Sequence, residues 1–152
     1  MRRRKFIALL GSALATWSVA TLAQTVNRVR RIGFLVNWAE EDAEASKRLA
    51  ALRLRLQELG WIEGKNLQID VRFGHNDGER LRRAATELIE VAPDAIVSTT
   101  STTTSALMNA TRNVPIVAAT SGDPIALGVT KDLPHPTGNI TGLTTFNDTL
   151  VS

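Results

Sequence analysis

Arg31-Ile32-Gly33-Phe34-Leu35-Val36, followed by Asn37-Trp38-Ala39-Glu40, is the stretch on which the fold is decided. A short, almost wholly apolar run that ends abruptly in polar residues has the signature of a strand buried on both faces. Asn37, with Glu40 three residues on, has the spacing of a capping box, and Glu41, Asp42 and Glu44 suit the positive end of a helix dipole. Ala45, Leu49, Leu52, Leu56 and Leu59 then recur at steps of four and three, which gives one apolar stripe, and Gly60 is placed to terminate it. The opening unit is therefore strand, then a helix of about twenty residues.

The same plan repeats downstream. Leu67 to Phe73 alternates apolar and polar residues, as a strand near a sheet edge does. Asn76 with Glu79 predicts a second capped helix, whose stripe is Leu81, Ala85, Leu88 and Ala92 and which Pro93 stops. Ala95-Ile96-Val97-Ser98 is a third strand, and the hydroxyl run Ser98 to Ser105 leads into a helix ending near Arg112. Val114 to Ala119 is a fourth strand, after which Ser121-Gly122-Asp123-Pro124 turns into a short helical segment. Ile140 to Phe146 can form one more strand. Four βα units predict an α/β fold, a parallel sheet with helices on both faces joined by right-handed crossovers.

Residues 1–23 have a different character. Arg2-Arg3-Arg4-Lys5 precedes the uncharged run Phe6 to Ala23, and Ser18-Val19-Ala20 and Thr21-Leu22-Ala23 are small-residue cleavage sites. This is an export signal whose removal would leave 129 residues; an uncleaved membrane anchor is the competing reading. Arg3-Arg4-Lys5-Phe6-Ile7 fits the twin-arginine pattern, although Sec signals also begin with arginines. Of 18 basic residues the signal holds four, and it holds none of the 15 acidic ones, so the net charge of +3 becomes −1 on cleavage. A near-neutral chain without a basic cluster interleaved with aromatics excludes nucleic acid as a partner.

There is no cysteine, which excludes thiolate metal sites, disulfides, thiol catalysis and a lipid-anchored amino terminus. An exported protein without a lipid tether is expected to be free in the periplasm. His75 and His135 are sixty residues apart with no ligand-spaced companions, so no metal site is expected. Nucleophile elbow, phosphate loop and dinucleotide fingerprint are all lacking, so neither catalytic residues nor a cofactor are predicted.

Ligands of such sheets sit at the carboxyl ends of the strands. The loops there contribute Asn37 and Trp38, then Gly74, His75 and Asn76, then Ser98, Thr99, Thr100, Ser101 and Thr102, then Thr120 and Asp123, a set suited to hydrogen bonding a small polar molecule. The third helix opens without an acidic residue, unlike the first two. A ligand carboxylate is accordingly placed against Ser101, Thr102 and Thr103; the alternative is that these hydroxyls only cap the helix. Asp123 either meets a ligand ammonium or hydroxyl, or caps the helix that Pro124 opens. Trp38 either stacks on a ligand or packs over the sheet edge.

The basic leader, Gly60-Trp61-Ile62-Glu63-Gly64-Lys65-Asn66, Gly122-Asp123-Pro124 and Pro136-Thr137-Gly138-Asn139-Ile140-Thr141-Gly142 together resemble the substrate-binding proteins of ABC importers. Their subgroup is the one typified by tryptophan and other aromatic amino-acid binding proteins. The resemblance implies a type I periplasmic binding protein, with two flavodoxin-like lobes closing on a ligand that is passed to a membrane permease and its ATPase. On that reading residues 24–136 are the amino-terminal lobe and 137–152 a hinge or crossing segment that is cut short, the second lobe being absent. The expected function is non-enzymatic capture of an amino acid or related carboxylate. The rivals are an exported α/β hydrolase using a serine of the hydroxyl run, and a non-functional gene fragment.

Overall fold

A computed structural model describes residues 28–120 and 138–144; the leader, the 121–137 segment with Asp123, and the last eight residues lie outside the described residues. The elements are β1 (Arg30–Val36), α1 (Ala43–Glu58), β2 (Leu67–Phe73), α2 (Gly78–Glu90), β3 (Ala95–Ser98), α3 (Ser101–Ala110), β4 (Ile116–Thr120) and β5 (Ile140–Thr144). All five strands are parallel in the order β2-β1-β3-β4-β5. The parallel α/β architecture read from the sequence is thus the one observed, with β1 enclosed between β2 and β3 and β2 at an edge. Phe34 stands opposite Val71 on one side and Val97 on the other.

Strand order dictates which face each helix covers. The chain steps one way from β1 to β2 and the other way from β2 past β1 to β3, so right-handed crossovers put α1 on one face and α2 and α3 on the opposite one. Packing follows that rule. Leu49, Leu52 and Leu56 of α1 lie with Phe34, Val36, Leu67 and Ile69. Leu81, Ala85 and Leu88 of α2 and Leu107 of α3 lie with Leu35, Ile96, Ile116 and Ala118. Neighbouring residues Phe34 and Leu35 therefore serve two separate cores, because successive strand side chains point to opposite faces.

Both helix starts differ from the sequence expectation. The cap of α1 is Asp42, whose carboxylate accepts the N–H of Glu44 at 2.8 Å, and not Asn37. The cap of α2 is Asp77, which accepts from Arg80 N–H at 2.8 Å, and not Asn76. Asn76 has φ +55, whereas an N-cap needs extended backbone. What holds both asparagines in loops is a long-range contact: Asn76 N–H donates to Asn37 O at 2.6 Å, and Asn37 Nδ2 donates to Asn76 Oδ1 at 2.8 Å. Two stripe residues also fall outside their helices. Leu59 is 75% exposed at the α1 C-cap ahead of Gly60, which is left-handed as a terminator should be. Ala92 is exposed, with φ +49, just past the end of α2.

The amino ends of the strands are fastened by charge. Asp94, entering β3, accepts the backbone N–H of Arg31 at 2.9 Å and a guanidinium N–H of Arg30 at 2.9 Å, with Arg28 at 3.4 Å. The Arg31 amide foremost, and then the Arg30 side chain, hold its carboxyl below the usual carboxylate range.

Candidate ligand-binding crevice

Reversal of the strand order at β1 and β3 opens the site. Adjacent strands send their following loops to opposite faces here, so a crevice forms between the loops at the strands' carboxyl ends. Asn37 and Trp38 follow β1 at that end of the sheet, and Thr99, Thr100, Ser101 and Thr102 follow β3. Thr99 closes the base of the crevice, its hydroxyl donating to Leu35 O of β1 at 3.3 Å.

The hydroxyl run divides sharply into inward and outward members. Ser98, Thr103 and Thr104 are completely or almost completely buried. Ser98 Oγ shares a 2.7 Å hydrogen bond with Thr104 Oγ1, which in turn donates to Thr100 O at 2.8 Å. Thr103 Oγ1 accepts from the N–H groups of Thr99 (3.1 Å) and Thr100 (2.9 Å) and donates to Thr100 O (2.8 Å). Thr100 is the N-cap, accepting from Thr103 N–H at 3.2 Å, so the pair forms a reciprocal capping box. The nominated Ser98 and Thr99 side chains are thus spent on the frame of the loop, and the Thr103 hydroxyl is enclosed.

Ser101 and Thr102 remain, half-buried and exposed respectively. Their backbone N–H groups, which a helix's first turn cannot satisfy internally, have no hydrogen-bond partner among the described residues. No acidic side chain occupies that first turn. A helix start of this kind, opening on a strand-order reversal, has the chemistry to take a carboxylate.

The opposite wall is more rigid than its sequence suggested. Asn37 spends its side-chain amide on Asn76, and Gly74 N–H donates to Val36 O at 2.7 Å, which ties the loops after β1 and β2 together. A Cβ at Gly74 would meet Leu81 Cδ1 and Val36 O, so a glycine is needed for that approach. Trp38 packs against the α1-side core, and the Arg48 guanidinium lies 5.0 Å from its ring centroid, a cation–π contact. Thr120 is buried at the carboxyl end of β4, while Asp123 lies outside the described residues. Among the described residues no group of three His, Asp or Glu is arranged to hold a metal ion.

Sequence reasoning placed Asn76 in a ligand-side loop but missed its bond to Asn37, and it missed Thr104 and Arg48 as supports of these walls. Thr104 had a usable signal, since Leu107 fixes the inward face of α3 and residues three and four before it share that face. The bond of Asn76 to Asn37 and the stacking of Arg48 of α1 on Trp38 join separate elements, which leaves no local pattern.

Residues 35–151 match the model of the ABC transporter substrate binding protein family. A curated relative, a tyrosine-binding protein of Clostridioides difficile (strain R20291), is 29% identical over 91 residues, covering 60% of this chain and 26% of that protein. A conserved domain protein from Vibrio cholerae superposes with TM-score 0.71 at 26% identity, over 80% of this chain and 40% of that one. An ABC domain from Streptococcus pneumoniae in complex with L-Trp gives 0.65 at 25% identity, over 76% and 38%. The chain thus spans about a quarter of the curated relative and two-fifths of the solved structures, and its sheet is the flavodoxin-like α/β lobe of a type I periplasmic binding protein. Strand order and sequence match agree, and the chain belongs to the ABC transporter substrate-binding protein family.

Proposed function

We propose that this chain is the solute-capturing component of an ABC importer, non-enzymatic, and that its ligand is an amino acid or related small carboxylate. The observation that carries the reading is the start of α3, where the amides of Ser101 and Thr102 have no partner among the described residues and the first turn holds no acidic side chain. The tyrosine-binding relative and the relative in complex with L-Trp support an aromatic amino acid as the first ligand to try. Asn37, Trp38, Thr100, Ser101, Thr102, Thr120 and Asp123 are proposed to line the crevice, with Ser98 and Thr99 framing it from behind.

Substrate-binding proteins of ABC transporters generally work outside the cytoplasm, and the leader at residues 1–23 supports export to the periplasm, with delivery to a permease and its ATPase in the inner membrane. One lobe is one wall of a cleft. We propose that residues 24–136 form the first lobe, that 137–152 lead into a crossing segment, and that high affinity needs a second lobe to bury the ligand from water.

Calorimetric titration with L-tyrosine and L-tryptophan tests the reading on this chain and on a form extended by a second lobe. The extended form should bind in the micromolar range and the short chain far more weakly. Ser101→Glu places a carboxylate where the helix dipole tolerates it but the ligand's own would sit, so folding should survive while affinity falls at least about tenfold. Unchanged affinity in Ser101→Glu would refute the placement.

A further inference from the structure

A second surface lies on the outer flank of α2, away from the crevice. Two shallow hollows meet there, one of about 330 Å³ lined by Arg72, His75, Arg80, Arg83 and Glu87 among others, the next of about 300 Å³ lined by Arg82, Arg83, Thr86 and Glu87. Sharing Arg83 and Glu87, they form one continuous track along the helix. The carboxylates that line or cap it are engaged, while Glu90, one turn further along the helix, has no ion pair among the described residues. Glu87 takes Arg72 Nε at 2.8 Å, Glu79 is paired with Arg82, and Asp77 caps the helix through Arg80 N–H. The guanidiniums of Arg80 and Arg83 have no ion-pair partner among the described residues.

Their position makes this costly for the protein alone. Arg80 and Arg83 project from the first two turns of α2, where the positive end of the helix dipole favours acidic residues. Their field reaches Asp77, whose carboxyl is held below its usual range chiefly by the Arg80 amide and in smaller part by these two cations. The lining of the two hollows holds four arginines against the single carboxylate of Glu87, and the two unmatched arginines, Arg80 and Arg83, stand over a floor that includes Phe73 and Ala84. A small anion at so open a place stays hydrated and screened, whereas several carboxylates tethered in one segment engage the whole track together.

We propose that the Arg72–Arg80–Arg83 flank of α2 is a docking surface for an acidic polypeptide segment of a partner protein. Arg80 and Arg83 supply the charge, while Arg72, oriented by Glu87 and by its own bond to Val71 O at 2.9 Å, sets the end of the track. None of the residues proposed to line the crevice lines this track, so capture of a solute and docking can occur at once.

The test uses the full chain and a labelled hexaglutamate peptide, read by fluorescence anisotropy at low and physiological salt, with inorganic phosphate as competitor. Binding should weaken about tenfold on raising the salt and at least about tenfold in Arg80→Glu/Arg83→Glu, with Arg80→Gln/Arg83→Gln intermediate. Arg55→Glu, on α1, should leave it unchanged. Failure to bind the peptide, indifference to both double variants, or displacement by phosphate at concentrations comparable with the peptide would overturn the proposal. Amino-acid titration of the same variants separates this outcome from any failure of the solute-binding reading.

Discussion

Thr103→Val asks whether the hydroxyl run is framework or ornament. Valine keeps the shape of threonine, so the perturbation is confined to one oxygen. That oxygen is fully buried and accepts two backbone N–H groups, from Thr99 in the interior and from Thr100 at its margin. A buried donor left without a partner costs roughly 1–3 kcal/mol. Taking Thr99 in full and discounting Thr100 for its partial access to water gives about 2–4 kcal/mol, or a fall in Tm of about 10–20 °C for a domain of this size. Thr103→Ser keeps the hydroxyl and loses one methyl, roughly 1 kcal/mol and a few degrees. Thermal unfolding followed by far-ultraviolet circular dichroism should therefore rank wild type first, serine second and valine a distant third. Valine unfolding at or above serine would show that the hydroxyl network carries no stability and that the loop is held by other means.

Two further expectations concern charge and backbone. Because the Asp94 carboxyl is held below its ordinary value of 3.8, it contributes stability above that pH and loses it as pH falls through the folded value; Asp94→Asn should be less stable at pH 7 and lose less between pH 5 and 2. Urea midpoints that fall in parallel for both proteins would rule this out. Ala92 sits at φ +49, a conformation that strains an L-residue by roughly 1–2 kcal/mol, whereas glycine adds roughly 0.4–1 kcal/mol of unfolded-chain entropy. Ala92→Gly should raise the melting temperature by a few degrees, and an unchanged or lower value would reject the strain argument.

The fold was legible where the signal is local. The apolar run at β1, the stripe from Ala45 to Leu56 and the alternation of β2 each follow from the period of their own element, and each is found where it was read. The helix starts were not, and Asn76 shows why. Its neighbours offer the same capping pattern as many true N-caps, but its bonds to Asn37, thirty-nine residues earlier, select left-handed backbone and hand the cap to Asp77. The crevice follows the same division. That the loop after β3 is rich in hydroxyls needs only the sequence. That Ser98, Thr103 and Thr104 face inward and Ser101 and Thr102 do not needs the helix phase set by Leu107, together with the depth at which β3 lies between its neighbours.

Trp38 and Trp61 also stand at opposite ends of the sheet, one beside the crevice under Arg48 and the other in the turn that enters β2. With no tyrosine in the chain and its third tryptophan, Trp17, in the leader, indole emission from a leaderless form arises from these two rings alone. Each end of the sheet thus carries its own intrinsic fluorophore, one beside the proposed binding event and one remote enough to serve as an internal reference.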